Sequence, residues 1–296
     1  MSHSHDVTLV PNTGWDERIL VCRNAPLVDT FIVLTQRYVV LVDTMINPVT
    51  AEKLLAYAQP HVQNGRSLLV INTHADYDHC WGNQVFAAYG VPIIGSRLSA
   101  AQFHNPDTAN LLAQMQAAEP DIFNQVRLTP PTLQFDERLV IDGGDLSLEL
   151  FLTPGHTIDH ASLYLPEINT LLAGDAAELP YPMARTPEGV LPMCRSLQQL
   201  VTLNAQTVLY CHAPVTIGPR LLAGNLAYFR AVETAVRTAL AQGISPHQPE
   251  EADLAALTGC TFADAFPADL PQDEIHPYYR HQGHQKQLRD MLTAVA

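Results

Sequence analysis

The chain is poor in charge, and the charge it has is of the wrong sign for binding polyanions. Charged residues make up 16% of its 296 positions, and Lys plus Arg number 16 against 30 Asp plus Glu, a formal charge of −14. Affinity for a phosphate backbone comes largely from Lys and Arg, so a nucleic-acid partner is not expected. Cysteine is scarce as well. Cys22, Cys80, Cys194, Cys211 and Cys260 form an odd set without a CxxC pair, which argues against a disulfide framework and a cysteine zinc site. No apolar run reaches the roughly 18 residues that a membrane span needs. The stretch MSHSHDVTLVPN has neither the basic start nor the apolar centre of a secretion signal. These absences lead to the expectation of a cytoplasmic protein with a small-molecule substrate and no membrane partner; homo-oligomerisation is left open.

What is present builds a core. Apolar residues make up 47% of the chain, too many for a disordered segment. FIVLTQRYVVLVDT (31–44) reads as two buried strands around a turn at TQR, and NPVTAEKLLAYAQPHV reads as a helix. SLLVIN and VPIIGS follow as strands, and residues 107–118 as a helix. Hairpin-like turns are expected at Asp142-Gly143-Gly144 and near Pro166–Asn169. CRSLQQLVTLNA reads as a helix, TVLYCHAP as a strand running into a loop, and 219–242 as a long amphipathic helix stopped by Gly243. Residues 1–243 are therefore expected to form an α/β domain, with 244–296 a small helical appendage. His3 and His5 are assigned to a loose tail.

The chemistry concentrates at strand ends. Directly after SLLVIN, the loop THADYDH places His74, Asp76, Asp78 and His79 at i, i+2, i+4 and i+5, a spacing that lets a curled backbone aim all four at one point. Imidazole nitrogens and carboxylate oxygens are the usual ligands of zinc and other first-row metals. LTPGHT sets His156 behind a later strand, LLAGDA does the same for Asp175, and LYCHAP for His212. Singly, each has a structural use, as a turn histidine, a helix cap or a bonded core histidine.

Taken together, H-x-D-x-D-H, TPGHT, GDA and a late strand-end His resemble the metallo-β-lactamase superfamily of metal-dependent hydrolases over about residues 18–240. The resemblance implies a four-layer αββα sandwich of two mixed β-sheets with the site along one edge. It gives His74, Asp76 and His156 to one metal and Asp78, His79 and His212 to the other, with Asp175 bridging. It also casts Asp43 and His160 as supports, and Asp78 as the group that orients a metal-bound hydroxide and accepts its proton. One departure stands out: the family usually has a second histidine where this chain has Asp76. An extra carboxylate leaves a two-metal centre formally neutral, so manganese or iron compete with zinc more strongly than usual. If Asp76 does not reach its metal, the centre holds one ion only.

The implied function is hydrolysis of a small ester, lactone or thioester with one or two divalent metal ions, zinc first. The carboxylate at Asp76 keeps a second class open, a redox enzyme with an iron centre, flavodiiron-like or dioxygenase-like. Tyr181, Met183, Arg185 and Arg195 supply either a pocket wall for an anionic group or a proline-stiffened surface loop. Tyr278, Tyr279, His281 and His284 form a further cluster before a last helix, placed beside the site or on the surface. Cys80 and Cys211 read as small apolar fillers beside ligands.

Overall fold

The computed structural model describes residues 3–213 and 218–296. The chain folds as two compact units, Met1–Leu152 with Asp159–Gly174, and Thr153–Ile158 with Asp175–Ala296.

The first unit opens with strands β1 (Thr8–Val10), β2 (Ile19–Asn24), β3 (Val28–Leu34) and β4 (Tyr38–Val42), each antiparallel to the one before. The turn between β3 and β4 falls on the expected Thr35-Gln36-Arg37, with Thr35 N donating to the Tyr38 carbonyl at 2.9 Å. Helix α1 (Pro48–Ala58) then carries the chain back, so that β5 (Ser67–Ile71) lies parallel to β4. Asn47 caps α1: its side chain accepts from Thr50 N at 2.9 Å, while Thr50 Oγ1 accepts from Asn47 N at 3.2 Å, with Pro48 at the first helical position. The short helices α2 (Tyr77–Cys80) and α3 (Asn83–Ala88) lead into β6 (Ile93–Ser96). Helices α4 (Arg97–Gln102), α5 (Pro106–Ala118) and α6 (Pro120–Phe123) precede β7 (Leu133–Phe135). The sheet runs in the order β1 to β7 and is mixed, since β4, β5, β6 and β7 pair parallel. The unbroken apolar runs VVLV and LLVI belong to β4 and β5, both at the centre, where a strand is covered on both faces.

Strands β8 (Arg138–Asp142), β9 (Ser147–Leu152), β10 (Ala161–Leu165) and β11 (Thr170–Leu172) form antiparallel neighbours in a second sheet. The turn at Asp142-Gly143-Gly144 is closed by Gly143 N to the Leu146 carbonyl at 2.8 Å, with Gly144 at φ +96 where a side chain is strained.

The second unit contains α7 (Val190–Thr202), β12 (Thr207–Leu209), α8 (Arg220–Ala241), α9 (Leu254–Thr258), α10 (Phe262–Ala265) and α11 (His284–Val295). Its aromatic centre is Tyr181 stacked on Tyr228 at 4.2 Å between ring centroids, flanked by Phe229 and Phe262. Tyr181 is fully buried and donates its hydroxyl to the Tyr279 carbonyl at 2.7 Å, so it is core and not part of a pocket wall. His284 is buried too. Its Nε2 lies 2.9 Å from the Cys260 carbonyl, which only accepts, so Nε2 carries the hydrogen and Nδ1 accepts from the Tyr228 hydroxyl at 2.8 Å. The expected loose tail is tied down as well: His3 Nδ1 meets Glu119 Oε1 at 2.7 Å, and its ring packs on Phe123.

Burial holds the pKa of His284 below its ordinary 6.5. Protonation would turn Nδ1 into a donor facing the Tyr228 hydroxyl, so the folded state favours the neutral ring. The stability this contributes is fully present above about 6.5 and is lost as pH falls through the folded value. Urea unfolding at a series of pH values should therefore show a loss on acidification that is smaller in His284→Asn. Identical pH profiles for the two proteins would contradict this role.

Candidate metal centre

The register of β4 on β5, Val42 opposite Ile71, sets Asp43 and Thr73 side by side at the carboxyl ends of two central strands. Asp43 N donates to the Ile71 carbonyl at 2.7 Å, and its backbone turns left-handed, φ 70. This swings the carboxylate under the loop that follows β5. Oδ1 accepts from Thr73 N at 2.8 Å, and Oδ2 accepts from Thr73 Oγ1 at 2.7 Å and faces His79 Nδ1 at 2.8 Å. Because Thr73 Oγ1 gives its hydrogen to Asp43, it accepts from His74 Nδ1, 2.9 Å away. Both histidines thus carry their hydrogen on Nδ1 and their lone pair on Nε2. Nε2 of His74 lies 3.7 Å from Asp76 Oδ2, and Nε2 of His79 lies 3.9 Å from Asp78 Oδ2. Each expected histidine of this loop is therefore beside an expected carboxylate.

The loop rests on a rigid floor. Cys80 and Trp81 are buried among Ile46, Phe103, Phe123 and Val126, and the Asp76 carbonyl accepts from His79 N at 3.1 Å to close the first turn of α2. Asn83 and Asn72 exchange side-chain hydrogen bonds at 2.7 and 3.0 Å, and Thr44 Oγ1 donates to Asn83 at 3.0 Å. A Cβ on Gly82 would overlap the Thr44 carbonyl, so only glycine allows the close approach of the loop to the chain after β4. From the far side, Asp159 Oδ2 accepts from Ala75 N at 2.9 Å, and Ala161 N donates to the Thr73 carbonyl at 2.8 Å. His160 is fully buried with its ring 5.0 Å from that of His74, and Gly174, at φ +58, leaves it room that a Cβ would fill. Cys80 is the small filler expected, and burial, with Asp43 adding, pushes its thiol well above the usual range, away from nucleophilic use.

In the second unit, one carboxylate oxygen serves two histidines. Asp175 Oδ2 lies 3.3 Å from His212 Nε2 and 3.5 Å from His156 Nε2. On the other side of the His156 ring, Nδ1 faces Glu178 Oε1 at 3.6 Å. His156, Asp175 and Glu178 each offer a ligand atom within 4.8 Å of the others. Burial, followed by the charge of Asp175, pushes the Glu178 carboxyl up to about 7, while His156 and His212 pull the other way. The segment between these residues is stitched to both histidines, Leu179 N to the His212 carbonyl at 3.1 Å and Arg185 N to the His156 carbonyl at 3.0 Å. Two desolvated carboxylates beside imidazole nitrogens form a donor set suited to a divalent ion.

Each unit thus gathers its own share of the expected ligands: His74, Asp76, Asp78 and His79 in the first, His156, Asp175 and His212 in the second. Glu178, Asp159 and Thr73 are additions that sequence reading did not single out. Glu178 had one signal, a lone acid in the otherwise uncharged AAELPYPM. Arg185 and Arg195 are exposed, and Tyr279 is half-buried with its hydroxyl pushed up by burial and by the charge of Glu178. Among the described residues no helix is long and apolar enough to cross a membrane.

Comparison with known proteins agrees with this architecture. The family described as the Metallo-beta-lactamase superfamily matches residues 24–212. Two curated hydroxyacylglutathione hydrolases are similar. That of Brucella anthropi is 30% identical over 149 residues, covering 48% of this chain and 45% of that protein. That of Hahella chejuensis is 28% identical over 192 residues, covering 64% and 61%. The chain thus spans about half to three fifths of the length of the curated relatives it matches. Among solved structures, a metallo-beta-lactamase from Pontibacter korlensis superposes with a TM-score of 0.56 at 19% identity, covering 76% of this chain and 99% of that one. One from Erythrobacter litoralis gives 0.53 at 15%, covering 74% and 97%. At these identities the likeness carries the fold alone, two mixed sheets with flanking helices in the expected αββα sandwich.

An amide at position 43 keeps the left-handed backbone accessible but offers one acceptor oxygen where Asp43 offers two, so an NH2 group must meet a donor from Thr73 or His79. Asp43→Asn should lower the unfolding free energy by about 1–3 kcal/mol, the cost of an unsatisfied buried donor, as read by urea titration. A stability equal to the parent's would show that the loop does not depend on this carboxylate.

Proposed function

The chain belongs to the metallo-β-lactamase superfamily, and we propose that it is a metal-dependent hydrolase of a small ester, lactone or thioester. Thioesters come first, because the curated relatives carry the name hydroxyacylglutathione hydrolase. The observation that carries the reading is Asp175: a nearly fully buried carboxylate whose Oδ2 sits within 3.5 Å of two histidine Nε2 atoms, an arrangement suited to a shared cation.

We assign His74, Asp76 and His156 to one ion, Asp78, His79 and His212 to a second, and Asp175 to both, with zinc first and manganese or iron as competitors. Such ions, when bound, lower the pKa of water toward about 7 and polarise the carbonyl under attack. The protein's own groups do the remaining work. The Nδ1 hydrogens of His74 and His79 are held by Thr73 and Asp43, which fixes Nε2 as the ligand atom in each ring before any ion arrives. Asp78, buried beside His79, holds the attacking water by one oxygen and takes its proton as the tetrahedral intermediate forms. No serine or cysteine nucleophile is required, which matches the inert, buried state of Cys80.

His79→Ala removes one ligand of the second ion and leaves Asp43 its two hydrogen bonds from Thr73. With zinc or manganese supplied, turnover of a panel of thioesters, lactones and esters should fall by at least about 100-fold, while unfolding stays cooperative. Turnover at the parent's rate by a folded variant would refute the assignment of His79.

A further inference from the structure

Of the ligands proposed above, His79 and His156 each present both ring nitrogens to carboxylates; at His79 the 2.8 Å approach of Nδ1 to Asp43 decides between them, whereas at His156 the two distances are nearly equal. Nε2 faces Asp175 Oδ2 at 3.5 Å and Nδ1 faces Glu178 Oε1 at 3.6 Å. A neutral imidazole has one hydrogen to give, so the two carboxylates compete for it, and the winner decides which nitrogen keeps the lone pair. Three features favour Glu178. Asp175 Oδ2 is already shared with His212 Nε2 at 3.3 Å. Glu178 Oε1 is buried and accepts no hydrogen bond among the described residues, a state that costs about 1–3 kcal/mol unless a donor is found. The backbone of Glu178 is also placed deliberately: fully buried Asn225, on α8, accepts from Glu178 N at 2.9 Å and donates to the Pro180 carbonyl at 2.6 Å. Arg185 N holds the His156 carbonyl at 3.0 Å, so both partners are pinned by one short segment.

We infer that Glu178 is the positioning residue of His156, taking the Nδ1 hydrogen and turning the Nε2 lone pair toward Asp175 and the ion proposed there. The inference deepens the proposed function and rests on it for the ion, but the pairing of Nδ1 with Oε1, 3.6 Å apart, belongs to the protein alone. Its effect is to give the second unit what Asp43 and Thr73 give the first, a histidine with its tautomer set before metal arrives. The competing role for Glu178, a direct ligand beside His156 and Asp175, differs in one testable respect. A neutral amide can accept the Nδ1 hydrogen as Glu178 does, but it is a poor ligand.

The test uses 15N-histidine-labelled protein freed of metal, with long-range 1H–15N correlation to read each tautomer and His156→Gln to assign the His156 signals. The parent and Glu178→Gln should both show His156 with its hydrogen on Nδ1, and Glu178→Met a shift toward the other tautomer. Zinc affinity, read by competition with a chromogenic chelator, should stay within a few-fold for Glu178→Gln and fall 10–100-fold for Glu178→Met. Equal large losses for both variants would make Glu178 a ligand and overturn the positioning role. A parent His156 with its hydrogen on Nε2 would also overturn it, and needs no variant to fold. A parent that shows the Nδ1 tautomer but binds no zinc, manganese or iron would retire the proposed hydrolase and still support the pairing.

Discussion

The carboxylate of Asp43 is the constraint on which the loop of candidate ligands, residues 73–79, depends. It is fully buried at the end of β4, and three donors converge on it: the amide and hydroxyl of Thr73 and the ring of His79. Isolated, such a charge would be costly to desolvate; with three hydrogen bonds it becomes a fixed post. Its left-handed backbone, φ 70, is a further cost that the surrounding bonds must offset. Through Thr73 the same post reaches His74, so one side chain fixes the tautomers of two neighbouring histidines. The apolar floor of Trp81, Phe103 and Phe123 then prevents the loop from relaxing away.

The two units solve one electrostatic problem in parallel ways. The first packs Asp43, Asp78 and Asp159 into buried positions, and the second packs Asp175 and Glu178. In an already acidic chain this concentration of carboxylate is unfavourable unless donors or cations balance it. Asp43 and Asp159 receive protein hydrogen bonds, which makes them supports. Asp175 Oδ2 lies within 3.5 Å of two imidazole Nε2 atoms, the grouping on which the proposed shared cation rests. The proposed division of labour between supporting and ligating carboxylates rests on what each oxygen faces.

Much of this was legible in the sequence, and the limits are physical. The central strands declared themselves as unbroken apolar runs, and the candidate ligand positions stood out because polar residues directly follow those runs. The short, half-exposed strands β1 and β7 carry no such run and are visible only as sheet partners. Glu178 and Asp159 stayed hidden because a lone acid looks the same in sequence whether it is solvated or buried against a histidine. Tyr181 misled for the opposite reason: the prolines around it suggest a surface loop, yet its ring stacks on Tyr228 in the core. His3 was assigned to a tail because nothing local marks its pairing with Glu119, 116 positions away. The Asp76 departure bears on the proposed centre, where a carboxylate ligand in place of a histidine would shift preference toward harder ions.

The claim that these buried carboxylates and histidines form a site completed by metal is tested most directly by thermal unfolding of chelator-treated protein with and without added zinc or manganese. An ion that binds only the folded state at 100 times its Kd adds about 2.7 kcal/mol. The account predicts an upward shift of Tm of about 4 °C for a chain of this size. An unfolding temperature that neither ion moves would contradict it.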